Sequence, residues 1–435
     1  MKKIILALLL ALLVVQGAGA AGTVETETEE IVLQWWDWNP SMKERNEAII
    51  AEFEAKNPGV TVELSTYATS EYWTKLRIQA NQRKLPDVFT MSSGYLEEWA
   101  NAGLLMELDD MIEKDDLFDT FYKSIFDAGK SISGTDSYYA IPFALVTTVL
   151  YYNKDHFDAA GLSYPDDSWT WDDFTSAARK LTKDTDGDGK IDQWGHWFYG
   201  RYAHIEPWVY ANNGALLTPD KRFAPDANAM AALKMLTDLV LVDGSAPSQK
   251  EMSALRQQDV FPQQVASMWV DGGWNIDNNR IVAGDSFNWG IARIPQGPAA
   301  STKIGNGWPD YYAISPDTKH AEAAWKFAKH IAGEGLAISD YMAGKIPSYK
   351  ALAEDEGFAD PTKQPEEMDL LIMQAAEELR SSFTLGWSEW RGYAAAETLG
   401  LNGLIDAIIN GEVSFDEGMK EGAEGINSVL ARYYK

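Results

Sequence analysis

The sequence predicts an α/β protein built from two successive αβ units. Three observations carry that expectation. Between residues 31 and 90, short apolar runs alternate with stretches of helical length, the order that builds parallel sheets flanked by helices. Residues 138–157, YYAIPFALVTTVLYYNKDHF, hold a β-branched run from Val146 to Tyr152 that ends at Asn153-Lys154-Asp155, a helix start. Pro142 has no amide hydrogen and suits the entrance of a strand, so this stretch reads as one extended segment leaving the first unit and entering the second. Last, a length of 435 residues suits about two to three domains.

The elements follow in order. Ile31 to Trp36 is a buried strand by its length and β-branched start, and it stops at Asp37-Trp38-Asn39-Pro40-Ser41, where Asn39 or Ser41 can cap a helix running to about Asn57. Pro58-Gly59 turns the chain into a strand from Val60 to Leu64, a helix from about Glu71 to Lys84 follows, and Pro86-Asp87 leads into a strand at Val88-Phe89-Thr90. Beyond the crossing, helices are expected at Trp171 to Lys183, near 202–211 and near 226–242. Strands are expected at Val265 to Val270, Phe287 to Ala292 and Tyr311 to Ser315, and His320 to Ala332 is an amphipathic helix. From Glu366 onward the chain reads mostly as helix, interrupted around Ser382 to Trp387.

Both ends of the composition exclude something. Lys2, Lys3, the apolar run Ile4 to Val15 and Ala18-Gly19-Ala20 make a secretory signal peptide over residues 1–20, too short to span a bilayer. Residues 21–30 are a flexible acidic leader. With no Cys there is neither a lipid-bearing Cys nor a disulfide framework, so the expectation is a protein free in the periplasm. Against 65 acidic residues stand 37 basic ones, a formal charge of -28, and loss of Lys2 and Lys3 takes it to -30. Such a surface repels nucleic acid and anionic lipid.

In a parallel αβ sheet, ligands gather beyond the carboxyl ends of the strands. That rule selects Trp36, Asp37 and Trp38 after the first strand, Tyr67 after the second, and Ser92, Ser93 and Tyr95 after the third. Trp is abundant, at 17 residues, and Trp274, Trp308 and Trp387 fall in loops or at strand ends. The apolar face of a sugar ring stacks on indole, while its hydroxyls need acceptors and forked donors. Asp271 beside Trp274, and Arg391 near Trp387, supply that mixture, and Gly273 lets a backbone amide approach a ligand. Trp99, Trp289 and Trp325 lie inside periodic segments and belong to the core, while His196 and His204 are surface or packing residues.

The sharpest local pattern is a calcium loop. Asp184, Asp186 and Asp188 at positions 1, 3 and 5, Gly189 at 6, the carbonyl of Lys190 at 7 and Asp192 at 9 converge several oxygens on one hard cation. Position 12 is Gly195 where an EF-hand has Glu, so a further ligand must come from elsewhere, with Glu206 a possible donor. The ion is expected to be structural. Enzyme motifs are wanting: H-E-x-x-H, G-x-S-x-G and a Walker A loop are all absent.

The motif Y-x-I-P-F…L-Y-Y-N-K-D at 139–155 resembles the crossover strand of the family 1 extracellular solute-binding proteins of carbohydrate ABC importers. Residues 86–112, 266–276 (ASMWVDGGWNI), 321–333 (AEAAWKFAKHIAG) and GKIPSY at 344–349 are similar to the same family. The resemblance implies a two-lobed periplasmic-binding-protein fold of type II, each lobe a mostly parallel sheet flanked by helices, joined at a hinge. Lobe 1 would hold 31–142 and 305–345, and lobe 2 148–295 and 350–435, with crossings near Phe143 to Thr148, Ile294 to Trp308 and Gly344 to Tyr349. It also implies capture of a sugar and its delivery to a membrane-embedded permease by a monomer that makes and breaks no bond. One departure stands out: some relatives carry an acid just after the crossover Pro, and 143–149 here is FALVTTV. A secreted glycoside-active enzyme, or a carrier of a non-sugar solute such as a peptide or polyamine, are the alternatives.

Overall fold

The computed structural model describes residues 30–252, 254–338, 344–354, 362–375, 378–392 and 400–434. The expected signal peptide and all but the last residue of the leader lie outside them. Strand β1 (Ile31–Asp37) leads through a 3-10 turn at Pro40–Met42 into α1 (Lys43–Lys56). The side chain of Asn39 caps this turn by accepting from the Ser41 amide. β2 (Val60–Thr66), α2 (Thr69–Asn81), β3 (Val88–Ser92) and α3 (Ser93–Asn101) follow, each within a few residues of its expected place, and α4 (Asp109–Lys114) and α5 (Lys123–Ser133) complete this part.

β4 (Ala140–Asn153) is the crossing strand, and all 14 of its residues are buried. Its first half, Ala140 to Thr147, pairs with β7 (Ile304–Ile314) and, at Ala144 and Leu145, with β8 (Ile346–Pro347). From Thr148 its partner becomes β5 (Met268–Gly272), and from Leu150 also β6 (Trp289–Ala292). The packing changes with the pairing. Ile141, Phe143 and Ala144 pack in one core with β1, α1 and the later helix α11 (Ala321–Ala332), while Val146, Leu150 and Tyr152 pack in a second core with helices of the following half. Leu145, Val149 and Tyr151 enter a third core from the opposite face of the strand. A strand covered on both faces along its length has no polar side to show, which is why its sequence is a continuous apolar run.

The second half is helix-rich: α6 (Lys154–Ala160), capped by Asn153, then α7 (Trp171–Leu181), α8 (Tyr202–Ala211), α9 (Ala227–Leu241) and α10 (Ile276–Ala283). α11 (Ala321–Ala332) returns to the first core; α12 (Lys350–Ala353), α13 (Asp369–Ala375), β9 (Glu378–Arg380), α14 (Trp387–Trp390), α15 (Leu401–Ile409) and α16 (Phe415–Leu430) close the chain. β1 is parallel to both β2 and β3, but every pairing of β4, and that of β3 with β7, is antiparallel. The sheets are therefore mixed: parallel order holds within the opening βαβ run, and strands passing between the halves enter against it. β7 also begins earlier than sequence suggested, at Ile304, because its first residues pair with β9.

Candidate functional site

Aromatic rings form a path from one half of the molecule to the other. Trp38, half-buried after β1, packs on Trp73 of α2 at 5.8 Å, and Trp73 on Tyr95 of α3 at 4.2 Å. Tyr95 meets Trp387 of α14 edge-on at 6.1 Å. Trp387 contacts Phe383 at 4.9 Å and Tyr202 at 5.3 Å, both of which reach Trp308 of β7, and Trp308 meets Trp274 at 5.7 Å. The approach of α14 to α3 is close enough to require glycine: a Cβ at Gly94 would stand 2.8 Å from the Trp387 ring. Arg77 donates to the Ser388 hydroxyl at 3.1 Å across the same junction. A second close approach joins Gly273 to Gly344, where a Cβ on Gly273 would lie 2.0 Å from the Gly344 carbonyl oxygen. Gly273 is thus needed for backbone contact within the protein.

Of the expected site residues, Trp274, Trp308 and Trp387 come together, and Trp38 joins them through Trp73 and Tyr95. Trp36 stands with Tyr67 as a separate pair at 5.0 Å. The polar residues are mostly committed elsewhere. Asp37 is buried and accepts from the Asn39 amide at 2.8 Å and the Thr90 hydroxyl at 2.9 Å; burial raises its carboxyl above the ordinary value despite those bonds. Ser92 caps α3 by accepting from Gly94, and buried Ser93 donates to the Pro309 carbonyl at 2.6 Å. Both serines seat α3 on β7.

Arg391 is fully buried and ion-paired with Glu206, whose carboxylate also accepts from Ser382 and, at 3.2 Å, from the Tyr210 hydroxyl. This corrects two expectations: Arg391 is consumed in a buried ion pair, and Glu206 cannot complete a calcium loop whose acids lie on the surface. Nearness in sequence to Trp387 was a poor guide, because α14 turns Arg391 inward.

Asp271 is also fully buried, at the end of β5. It accepts from Arg201 Nη1 at 2.8 Å and from the Gly272 amide at 2.8 Å, and its oxygen lies 3.3 Å from His204 Nε2. Burial opposes its ionisation, but Arg201, His204 and that amide outweigh burial and hold its carboxyl below the usual range. Burial likewise lowers His204, so the ring is neutral at pH 7; its Nδ1 accepts from the Tyr199 amide, which leaves the proton on Nε2, facing Asp271. His204 is therefore a buried orienting group. The sequence reading missed Arg201 and Tyr202. The strand-end rule could have found them, because Trp197 pairs in parallel with Trp269 of β5 and the chain leaves that pairing through Tyr199 to Tyr202.

Asp184, Asp186 and Asp188 are exposed, with carboxylate oxygens within 4.8 Å of one another. Asp184 accepts from the amides of Gly187 and Gly189, each at positive φ. Asp192 instead accepts from Thr185, at 2.7 Å from the hydroxyl. Trp99, Trp289 and Trp325 are buried, as expected.

The profile described as bacterial extracellular solute-binding protein matches residues 37–337, and the chain belongs to that family. Among its relatives, a putative binding protein of Brucella abortus (strain 2308) is 23% identical over 76% of this chain and 75% of its own. The multiple sugar-binding protein of Streptococcus mutans serotype c (strain ATCC 700610 / UA159) is 21% identical over 76% of this chain and 78% of its own. In three dimensions the chain matches an ABC substrate-binding protein from Listeria monocytogenes in complex with cycloalternan, with a TM-score of 0.79, 23% identity, and coverage of 93% of this chain and 100% of the other. The two-lobed fold follows from this likeness. No helix among the described residues is long and apolar enough to cross a membrane.

Proposed function

We propose that the protein captures an oligosaccharide between its lobes and hands it to the permease of an ABC importer. The observation that carries this is the ring path from Trp38 to Trp274, which crosses between the lobes at Tyr95 and Trp387 and again on either side of Trp308. The half-buried rings of Trp38, Trp73, Tyr202 and Trp274 match the apolar faces of sugar rings, while buried Tyr95, Phe383, Trp387 and Trp308 join them, and lobe closure sequesters the guest. The named relative in Streptococcus mutans and the Listeria complex support a carbohydrate guest. The reading includes no bond chemistry. The two acids expected beside the rings, Asp37 and Asp271, are buried in internal bonds and offer no proton donor to a glycosidic oxygen. Lobe 1 is 31–142 with 305–345, lobe 2 is 148–295 with 350–435, and the secreted form is a periplasmic monomer beginning near Ala21.

A calorimetric screen of mono- and oligosaccharides, with Trp fluorescence as a second readout, tests the central claim. We expect a sugar to bind without being consumed, and Trp274→Ala to weaken it at least tenfold, or about 1.4 kcal/mol. Product formation, or full affinity in the variant, would refute it.

The loop at Asp184, Asp186 and Asp188 is proposed to hold structural Ca2+, with the Lys190 carbonyl as a further ligand. Three converging carboxylates on a Gly-turned loop fit a hard oxygen-seeking ion. Saturating calcium at a hundred times its dissociation constant would then stabilise the fold by about 2.7 kcal/mol. Equal melting temperatures with calcium and with chelator would remove the ion from the account.

A further inference from the structure

The sequence pointed to an acid, Asp271, as the polar partner of a sugar stacked on Trp274. The structure reverses the charge of that partner. Asp271 is fully buried, and what it holds is Arg201, whose side chain is 24% exposed. The guanidinium carbon lies 5.5 Å from the centroid of the Trp274 ring and 5.9 Å from that of Tyr202. Three groups fix it there. Asp271 accepts from its Nη1, His204 steadies Asp271, and the Tyr199 amide steadies His204.

We propose that Arg201 is the polar specificity determinant of the sugar site and selects neutral oligosaccharides over uronic-acid ones, an inference that rests on the sugar-binding reading above. A guanidinium is a planar fork of five donors. A pyranose stacked on Trp274 brings its rim oxygens beside that fork, where they accept charge-assisted hydrogen bonds. The charge of the fork is already balanced by Asp271 at 2.8 Å. A uronate would place a second carboxylate against a guanidinium that Asp271 already neutralises, close to the first. A protein with a formal charge of -28 adds long-range repulsion in the same direction. Asp271 and His204 act through Arg201 and are positioning residues.

The test titrates wild type, Arg201→Ala, Arg201→Met and Arg201→Lys with maltotriose, mannobiose, galactotriose and trigalacturonate, and records thermal unfolding of each protein. Met keeps the stem that covers the rings, and Lys keeps the charge without the fork. The expected result is that wild type binds at least one neutral sugar and prefers it to trigalacturonate. Ala and Met should then lose about 10- to 100-fold in affinity and Lys less; Ala and Met should also melt below wild type, because Asp271 is left buried without its cation, while still unfolding in one cooperative transition. Neutral-sugar affinity within about twofold of wild type in Arg201→Met, or tightest binding of trigalacturonate, overturns the inference and leaves sugar binding intact. Failure of the wild type to bind any of the four sugars counts against the sugar reading itself and takes this inference with it.

Discussion

Two arginine–carboxylate pairs flank Tyr202, and they differ in one respect that sets their use. Arg391 and Glu206 are both sealed in the interior, with Ser382 and Tyr210 filling the remaining acceptor positions of the carboxylate. Arg201 and Asp271 share the chemistry, but only the carboxylate is sealed; the arginine reaches the rings of Trp274 and Tyr202. The Tyr202 centroid lies 5.8 Å from the Arg391 guanidinium carbon and 5.9 Å from that of Arg201. A pair closed on both sides can only hold the fold. A pair closed on one side can present a donor to a guest.

Truncating the sealed pair sharpens this contrast most. Arg391→Ala leaves a buried carboxylate without its cation, a change that costs about 3–5 kcal/mol. Urea unfolding should show that loss, and the same truncation at Arg201 should cost less, because Arg201 is 24% exposed and water can take its place beside the buried Asp271. Replacing both members of the sealed pair, as Arg391→Met with Glu206→Gln, should recover part of the loss, because no lone charge then remains inside. Equal stability losses at Arg391 and Arg201 would erase the distinction.

The sequence carried most of the fold because its signals are local. Asn153 caps the helix that it was expected to start, Asn39 caps the 3-10 turn that leads into α1 while α1 itself has no side-chain cap, and the apolar run of β4 forms the expected crossing strand. The aromatic half of the site was legible in part: Trp274 and Trp387 stand in the short turns where elements begin, but Trp308 lies inside β7, and both Trp308 and Trp387 are buried. The polar half was not. Asp271 and Arg391 were chosen for their neighbours in the chain, but whether a charge faces a cavity or a core depends on partners 70 and 185 positions away, Arg201 and Glu206. Periodicity gives the face of a helix and says nothing about which distant side chain already waits there.

The smallest expected effect concerns the backbone that delivers Arg201. Asp406 of α15 accepts from the Gly200 amide at 2.6 Å, and a Cβ on Gly200 would lie 1.7 Å from the Asn402 carbonyl oxygen, so the residue before Arg201 is pressed onto that helix. Burial pushes the Asp406 carboxyl up to about 6, against the pull of the Gly200 amide and with help from Glu412. Its folded value thus exceeds its unfolded value of 3.8, and between the two the folded state binds more protons. Asp406 therefore makes the fold less stable as pH rises from about 4 to about 6. Half-buried His156 and buried His196, lowered by desolvation to about 4 and about 3, act in the opposite sense, since the unfolded state binds their protons more readily up to pH 6.5. The slope of the wild type alone mixes these terms, and a difference isolates one. Asp406→Asn keeps an oxygen for Gly200 and removes the charge, so it should be neutral below pH 4 and gain stability up to pH 6.5. Above that the gain should level off at about 1–2 kcal/mol, a value discounted for partial exposure. A gain independent of pH, or none at pH 7.5, would mean that the carboxyl is not held in the environment that joins α15 to Gly200.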